Sequence, residues 1–312
     1  MTFVKRVLIL LFLLGLTGMM AGCGEETPKK PARHYPVTVG EVTVKAMPQK
    51  AVSLSPSATD IIDALGNTSK LVGLSDSCTD TSGRNLPKVG SSVLPDINQI
   101  ITLGANVLFV SRALPATEAE RCRTNDVTVI LVPYAASLSE LKALYTDIAR
   151  VFAGNTDGPL NADATWSRFE TQLGTAVASP FTTKTAAFVI SPTLCFTPDS
   201  VVGELLVKAG ATNIAASTGN AFTYEQVAAA NPAVLFCYVG QKATILSNAL
   251  LKNTDAVKNG QVFEIDPKLT ERQGAGLLTL AEQLHAPFVT AAPPAESTPA
   301  TSTPPESAVS SK

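Results

Sequence analysis

The sequence predicts an α/β fold: two similar lobes with mostly parallel sheets, joined by one long linking helix, with a cleft between the lobes. Three observations predict it. From Ala51 onward, short β-rich runs alternate with amphipathic stretches, the pattern of a sheet flanked by helices. The second half of the chain restates the first, down to single positions. Between the halves, residues 161–178 lack proline and carry Trp166, Phe169, Leu173 and Val177 at helical spacing.

At the N-terminus, Lys5 and Arg6 precede the apolar stretch 7–16, which leads to Met20-Ala21-Gly22-Cys23. A basic region, a short hydrophobic core and small residues before a cysteine are the parts of a secretion signal. An apolar run of roughly ten residues is too short for a bilayer core, which needs about 20. Residues 1–22 therefore read as a signal peptide whose end resembles a lipoprotein cleavage site, with Met20 where Leu is usual. Diacylation of Cys23 would bury two acyl chains at about 0.8 kcal/mol per methylene, enough for stable anchoring. The mature protein is expected outside the cytoplasm, held to the bacterial cell membrane by its first residue. Residues 23–49 read as a tether, and 291–312, a Pro/Ser/Thr/Ala tract, as a disordered tail.

The first lobe, 50–154, reads in order as strand 52–54, helix 58–65, strand 71–74, helix 97–103, strand 107–110, helix 116–122, strand 127–132 and helix 138–152. Ser57 and Asp60, ahead of Ile61 and Ile62, read as an N-cap with a reciprocal acidic partner, and Gly66 as the helix stop. The linking helix occupies 155–180. In the second lobe, 181–290, the strands are 187–191, 234–239 and 262–265. Its helices are 200–209, ended by Gly210, and 276–285. Ser55-Pro56 after a strand is matched by Ser191-Pro192. Asn98-Gln99-Ile100 with Val107-Leu108-Phe109 is matched in register by Glu225-Gln226-Val227 with Val234-Leu235-Phe236. One linking helix restricts wide hinge closure, so small breathing motions are expected.

Composition excludes several functions. The formal net charge of −2 offers no clustered basic surface for nucleic acid. A bare transition-metal site needs several converging His, Cys, Asp or Glu ligands. The two histidines are His34, in the tether, and His285, at the end of the last helix. No Gly-x-Ser-x-Gly elbow accompanies Ser55 or Ser191, and no histidine is placed as base, so the chain does not read as an enzyme. No cofactor is called for, and a monomer is expected. Beyond Cys23, the even set Cys78, Cys122, Cys195 and Cys237 permits up to two disulfides in three connectivities. Cys237 lies in an apolar strand-like run, where a buried free thiol is the simpler reading.

The segments AVSLSPSATDIIDALG, LVGLSDSC and LPKVGS, followed by PDINQIITLGANVLFV, YEQVAAANPAVLF and ERQGAGLL, resemble the helical-backbone binding proteins that serve cobalamin, haem and ferric-siderophore ABC importers. The resemblance covers about 51–285. It implies a ligand carried intact in the cleft and docking to a permease through one acidic residue on each lobe. Glu225 falls at the second-lobe docking position. The first-lobe position holds Asn98, with Asp96 two residues away.

Ligands of open α/β sheets sit beyond the carboxyl ends of the strands. The cleft candidates are therefore Ser55, Ser57, Asp76, Ser77, Ser111, Arg112 and Tyr134 from the first lobe. From the second come Thr193, Phe196, Tyr238, Gln241 and Arg272. Hydroxyls, amides and aromatics dominate this set. Ferric catecholates are anions that call for several Arg or Lys, so the expected order is a corrinoid of the cobalamin type, then a siderophore, then haem. Asn98 leaves open a surface scavenger or sensor that works without a transporter.

Overall fold

The computed structural model describes residues 34–215 and 219–290. It begins with an antiparallel hairpin, β1 (Val37–Val39) and β2 (Val42–Val44), which corrects the reading of 34–49 as tether. Val37, Val39 and Val44 are buried in the main core. The Val-Thr-Val pattern repeated around Gly40 has the period of a half-buried strand, and its charged flanks Glu41 and Lys45 masked it in the sequence. The signal segment 1–22, Cys23 with the rest of the tether to residue 33, and the tail 291–312 lie outside the described residues.

The first lobe is a four-stranded parallel sheet in the order β4-β3-β5-β6, built from β3 (Ala51–Ser53), β4 (Leu71–Leu74), β5 (Val107–Val110) and β6 (Thr128–Leu131). Its helices are α1 (Pro56–Ala64), α2 (Ile97–Thr102) and α3 (Ala116–Thr124). The cap of α1 departs from expectation. Ser55 accepts a bond from the Ala58 N–H at 3.2 Å with Pro56 in the first turn, while Ser57 and Asp60 turn toward the other lobe.

Next comes α4 (Leu138–Ala176), capped by Ser137. It is not one rod. Gly154 has φ 79° and ψ −178°, a combination open to glycine, and the chain reverses there. The arms 138–153 and 155–176 lie antiparallel: Tyr145 meets the Trp166 ring edge-on at 5.5 Å, and Lys142 pairs with Asp163 at 3.4 Å. The second arm is the link to the other lobe. No helix among the described residues is long and apolar enough to cross a membrane.

The second lobe holds β7 (Lys184–Ser191), β8 (Leu194–Cys195), α5 (Val201–Lys208), β9 (Ala211–Asn213), α6 (Tyr224–Ala230), β10 (Val234–Tyr238), α7 (Lys242–Ser247), α8 (Asp255–Lys258), β11 (Val262–Ile265), α9 (Pro267–Glu271) and α10 (Gly276–His285). Its sheet runs β11-β10-β7, with β9 parallel beside the start of β7 and β8 antiparallel along its end.

Alternation sorts the side chains. Val107, Phe109, Ala186, Phe188, Val234 and Phe236 point into one core that continues through Tyr145, Trp166 and Phe169 of α4. Their neighbours Leu108 and Val110 fill a separate core behind the first sheet. Ala187, Val189, Leu235 and Cys237 fill another behind the second. A single apolar core thus runs from lobe to lobe through the helix hairpin.

The four cysteines of the described region are free and buried. Cys195 and Cys237 both sit opposite Val189, one on each side of β7, so two strand spacings of about 4.8 Å separate them, beyond the roughly 7 Å a disulfide spans. Cys78 and Cys122 lie in different cores, on opposite faces of the first sheet.

Candidate functional site

Parallel strands deliver their carboxyl ends to one edge, and the lobes bring these edges together. The joint is made by the short segment that links α9 to α10. The Ser57 hydroxyl donates to the Glu271 carbonyl at 3.0 Å and accepts from the Gln273 N–H at 3.2 Å. The buried Gln273 amide forms two 2.7 Å bonds with the Ala135 backbone, accepting from its N–H and donating to its carbonyl. Arg272 clamps Asp60, and the Gly276 N–H donates to the same carboxylate at 3.3 Å. Behind the joint, Glu204 of α5 accepts from the Leu138 N–H at 3.2 Å, capping α4 from the other lobe.

Two tyrosines from opposite lobes meet beside this joint. The Tyr134 hydroxyl donates to the Thr270 carbonyl, and the Tyr238 hydroxyl bonds the Thr270 hydroxyl at 3.0 Å. Loss of hydration raises both phenols above their ordinary range. Tyr134 remains 49% exposed, so its hydroxyl is fixed while much of its ring stays open to solvent. Tyr238 is backed by Phe188 at 5.4 Å and Phe196 at 6.5 Å, both edge-on.

The remaining sequence candidates divide into three groups. Ser55, 1% exposed, is spent on the α1 cap, Ser57 and Arg272 on the joint, and Phe196 on packing. Arg272 pairs across the lobes with Asp60 rather than with its neighbours Glu271 or Asp266. Asp76, Ser77, Ser111, Arg112 and Thr193 are exposed at strand ends. Gln241 is half-buried. Its amide donates to the Ile190 carbonyl at 3.0 Å, while its buried Oε1 has no hydrogen-bond partner among the described residues. Asp60, Thr270 and Gln273 were missed by sequence reasoning; the signal for Asp60 was a carboxylate on a helix stretch otherwise buried.

His285 is buried, with Nδ1 2.8 Å from the Ala209 carbonyl and Nε2 3.2 Å from the Ser179 carbonyl, where it staples the linker to the second lobe. His34 is exposed beside the break in α4, its carbonyl accepting from the Asn155 N–H. Among the described residues no three His, Cys, Asp or Glu side chains converge on a common point that would hold a metal ion.

At the edges of the molecule, the repeat holds position by position. Asn98 and Glu225 are each the second residue of their helices, α2 and α6, behind N-caps Asp96 and Thr223. Both are exposed. The Asn98 Oδ1 accepts from Arg121, whose other terminal nitrogen pairs with Glu118 at 3.1 Å. Asp96 is committed to its cap, accepting from the Gln99 N–H at 2.9 Å.

Two lobes of mostly parallel sheet, joined by a helix and with their strand ends brought together, are the architecture of a two-lobed binding protein. The chain belongs to the periplasmic binding protein family, whose pattern matches residues 52–269. It is 28% identical over 307 residues to the ABC transporter substrate-binding lipoprotein YvrC of Bacillus subtilis, covering 90% of this chain and 96% of that one. A cobalamin-binding protein of Halobacterium salinarum is 22% identical, over 80% of this chain and 75% of its own. The periplasmic haem-binding protein HutB of Vibrio cholerae superposes with a TM-score of 0.63 at 20% identity, over 76% of this chain and 98% of its own.

Proposed function

We propose that this chain is the lipid-anchored solute-binding component of an ABC importer, which captures a corrinoid of the cobalamin type in the inter-lobe cleft and delivers it to the permease. The observation that carries the choice of ligand is the commitment of Arg272 to Asp60. Of the two cations expected along the cleft, that leaves Arg112 open. A ferric catecholate, an anion that calls for several charge-assisted bonds, would find one partner there. A large, nearly neutral corrinoid needs shape, aromatic surface and scattered hydrogen bonds. Tyr134, Tyr238, Ser77, Ser111, Thr193 and Gln241 are of that chemistry.

Haem ranks behind both. Its iron needs an axial His, Cys, Met or Tyr, and the Tyr134 and Tyr238 hydroxyls are both bound to Thr270 in surroundings that disfavour the phenolate. The basic, apolar and small residues before Cys23, together with the named lipoprotein YvrC, support export and diacylation at that cysteine.

Cyanocobalamin should quench the intrinsic fluorescence of the purified protein saturably, and ferric siderophores should do so more weakly. Binding of siderophores alone would overturn the corrinoid choice. Native mass spectrometry of protein isolated from its own host provides an independent check, through the mass of a retained ligand.

One observation favours a second reading. Asn98 gives a permease arginine no carboxylate on the first lobe, as a scavenger or sensor without a transporter would allow. Under the importer reading, Glu225→Ala should leave ligand affinity intact and reduce uptake in whole cells. Normal uptake by that variant favours the scavenger.

A further inference from the structure

We propose that Thr270 is a positioning residue for the ligand: it fixes the Tyr238 hydroxyl as a hydrogen-bond acceptor, so the site takes an N–H or O–H group of a neutral ligand there and turns a carboxylate away. The inference rests on the corrinoid reading and names the part of the ligand that this point of the site selects.

The direction of each bond follows from the number of protons available. A threonine hydroxyl has one proton to donate. In Thr270 that proton goes to the Pro267 carbonyl, at 2.8 Å within α9. The Tyr238 hydroxyl, 3.0 Å from the same Thr270 oxygen, must therefore supply the proton of the second bond. Its own oxygen keeps its acceptor capacity, and no other hydrogen bond reaches it among the described residues. Thr270 is 3% exposed, so its hydroxyl has little access to water as an alternative partner.

Tyr134 is fixed differently. Its hydroxyl donates to the Thr270 carbonyl, and the Gln273 side chain is a further hydrogen-bond partner of the same phenol. Its polar capacity is taken up, and what it leaves to solvent is its ring. One residue thus sets two tyrosines from opposite lobes into different roles: a ring face from Tyr134 and an acceptor oxygen from Tyr238.

The charges of the same segment act in the same sense. Lys268 and Glu271 are exposed, and Arg272 is paired with Asp60. Of these, Glu271 raises both phenols through its negative charge. A carboxylate or catecholate oxygen set against the Tyr238 oxygen would meet an acceptor and a like charge, with no proton to share. A carboxamide N–H would be bonded. A site built to receive a donor rejects an analogue that lacks one, because its own polar group is then left unpaired.

Titration calorimetry on the purified protein would compare cyanocobalamin with each monocarboxylate made from it by hydrolysing one peripheral carboxamide. The parent should bind at least one of these about tenfold or more weakly than cyanocobalamin. Thr270→Val removes the hydroxyl that takes the Tyr238 proton, so the phenol is free to donate to a carboxylate. The preference should then fall to about twofold or less. Tyr238→Phe removes the acceptor and should lose the preference too, and it leaves the Thr270 bond to Pro267 in place should Thr270→Val fail to fold. Thr270→Ser restores a hydroxyl and should restore the preference. A general loosening of the site weakens both ligands alike and leaves their ratio unmoved. No preference in the parent, or the same preference in Tyr238→Phe or Thr270→Val, would overturn the assignment and leave the corrinoid reading standing. Loss in Thr270→Ser as large as in Thr270→Val would overturn it as well, since packing rather than the hydroxyl would then set the ratio. A parent that binds none of these corrinoids would overturn both.

Discussion

Arg272 of the second lobe donates through Nε to both oxygens of Asp60 in the first at 3.1 Å, and through Nη2 to Oδ1 at 2.8 Å. Asp60 is 2% exposed and Arg272 22%, so the pair is a largely desolvated bolt between the lobes. With the Gln273–Ala135 bonds and the shared core, it supports a molecule whose lobes move little. Buried pairs of this kind contribute geometry more reliably than stability, because the desolvation cost offsets much of the attraction.

Removing one partner is different from removing both. Arg272→Gln strands a buried carboxylate and should cost about 3–5 kcal/mol. In the native protein burial raises the Asp60 carboxyl, and Arg272 opposes that rise. A raised folded value means stability that is present at low pH and lost as pH climbs through that value. Without the guanidinium the rise grows, so Arg272→Gln should lose more stability, relative to the parent, at pH 7 than at pH 4. Urea midpoints at the two pH values check this; equal losses would show that Asp60 does not respond to its partner.

Gln273→Ala leaves the buried Ala135 N–H and carbonyl without partners and should cost about 2–4 kcal/mol, as two unsatisfied buried groups imply. Gln273→Glu restores the acceptor but sets a second oxygen against the Ala135 carbonyl. Thermal melts should therefore rank parent above both variants, with Glu giving no rescue. Rescue by Glu would mean that only the Ala135 N–H bond matters.

Gln241 carries a buried acceptor, Oε1, with no hydrogen-bond partner among the described residues. Protein atoms cover it, so it reaches a ligand only if the side chain turns outward; in that case Gln241→Leu should weaken cyanocobalamin binding by about tenfold, the value of roughly one buried hydrogen bond. Titration calorimetry would measure it, and unchanged affinity would place the ligand elsewhere.

The buried thiols predict a redox-insensitive fold. Dithiothreitol should leave Tm unchanged, and thiol reagents should label Cys195 and Cys237 only after unfolding. Burial pushes Cys195 up to about 12 and Cys237 up to about 11. Their contribution to stability is therefore full below the unfolded thiol value of about 8.5 and falls as pH rises from there toward the folded values. Stability of a Cys195→Ala, Cys237→Ala protein should accordingly decline less than the parent's between pH 8 and 11.

The proposed anchor is tested at Cys23. Cys23→Ser should abolish incorporation of labelled fatty acid and either release the protein or leave an unprocessed precursor. Unchanged lipid labelling of that variant would remove the anchor.

Much of this molecule was legible without coordinates because its signals are local. Strands such as 71–74, 107–110 and 262–265 and the helix 276–285 emerge with the bounds that periodicity gave them. The in-register repeat correctly set Asn98 and Glu225 at equivalent helical positions. Periodicity reports which face of an element is apolar, and a repeat reports which elements correspond.

What the sequence could not decide depends on partners far along the chain. Asp60 and Arg272 are 212 residues apart, and nothing near Asp60 distinguishes a helix-capping carboxylate from one reaching the other lobe. The hairpin at 37–44 becomes structure because α4 and the first sheet cover its valines. The sequence already parted helix 138–152 from the linking helix at 155, but their antiparallel packing, in which Tyr145 and Trp166 bury each other, came only with the fold. Desolvation, ion pairing and burial are properties of a site in space. They were fixed only when the fold brought these residues together.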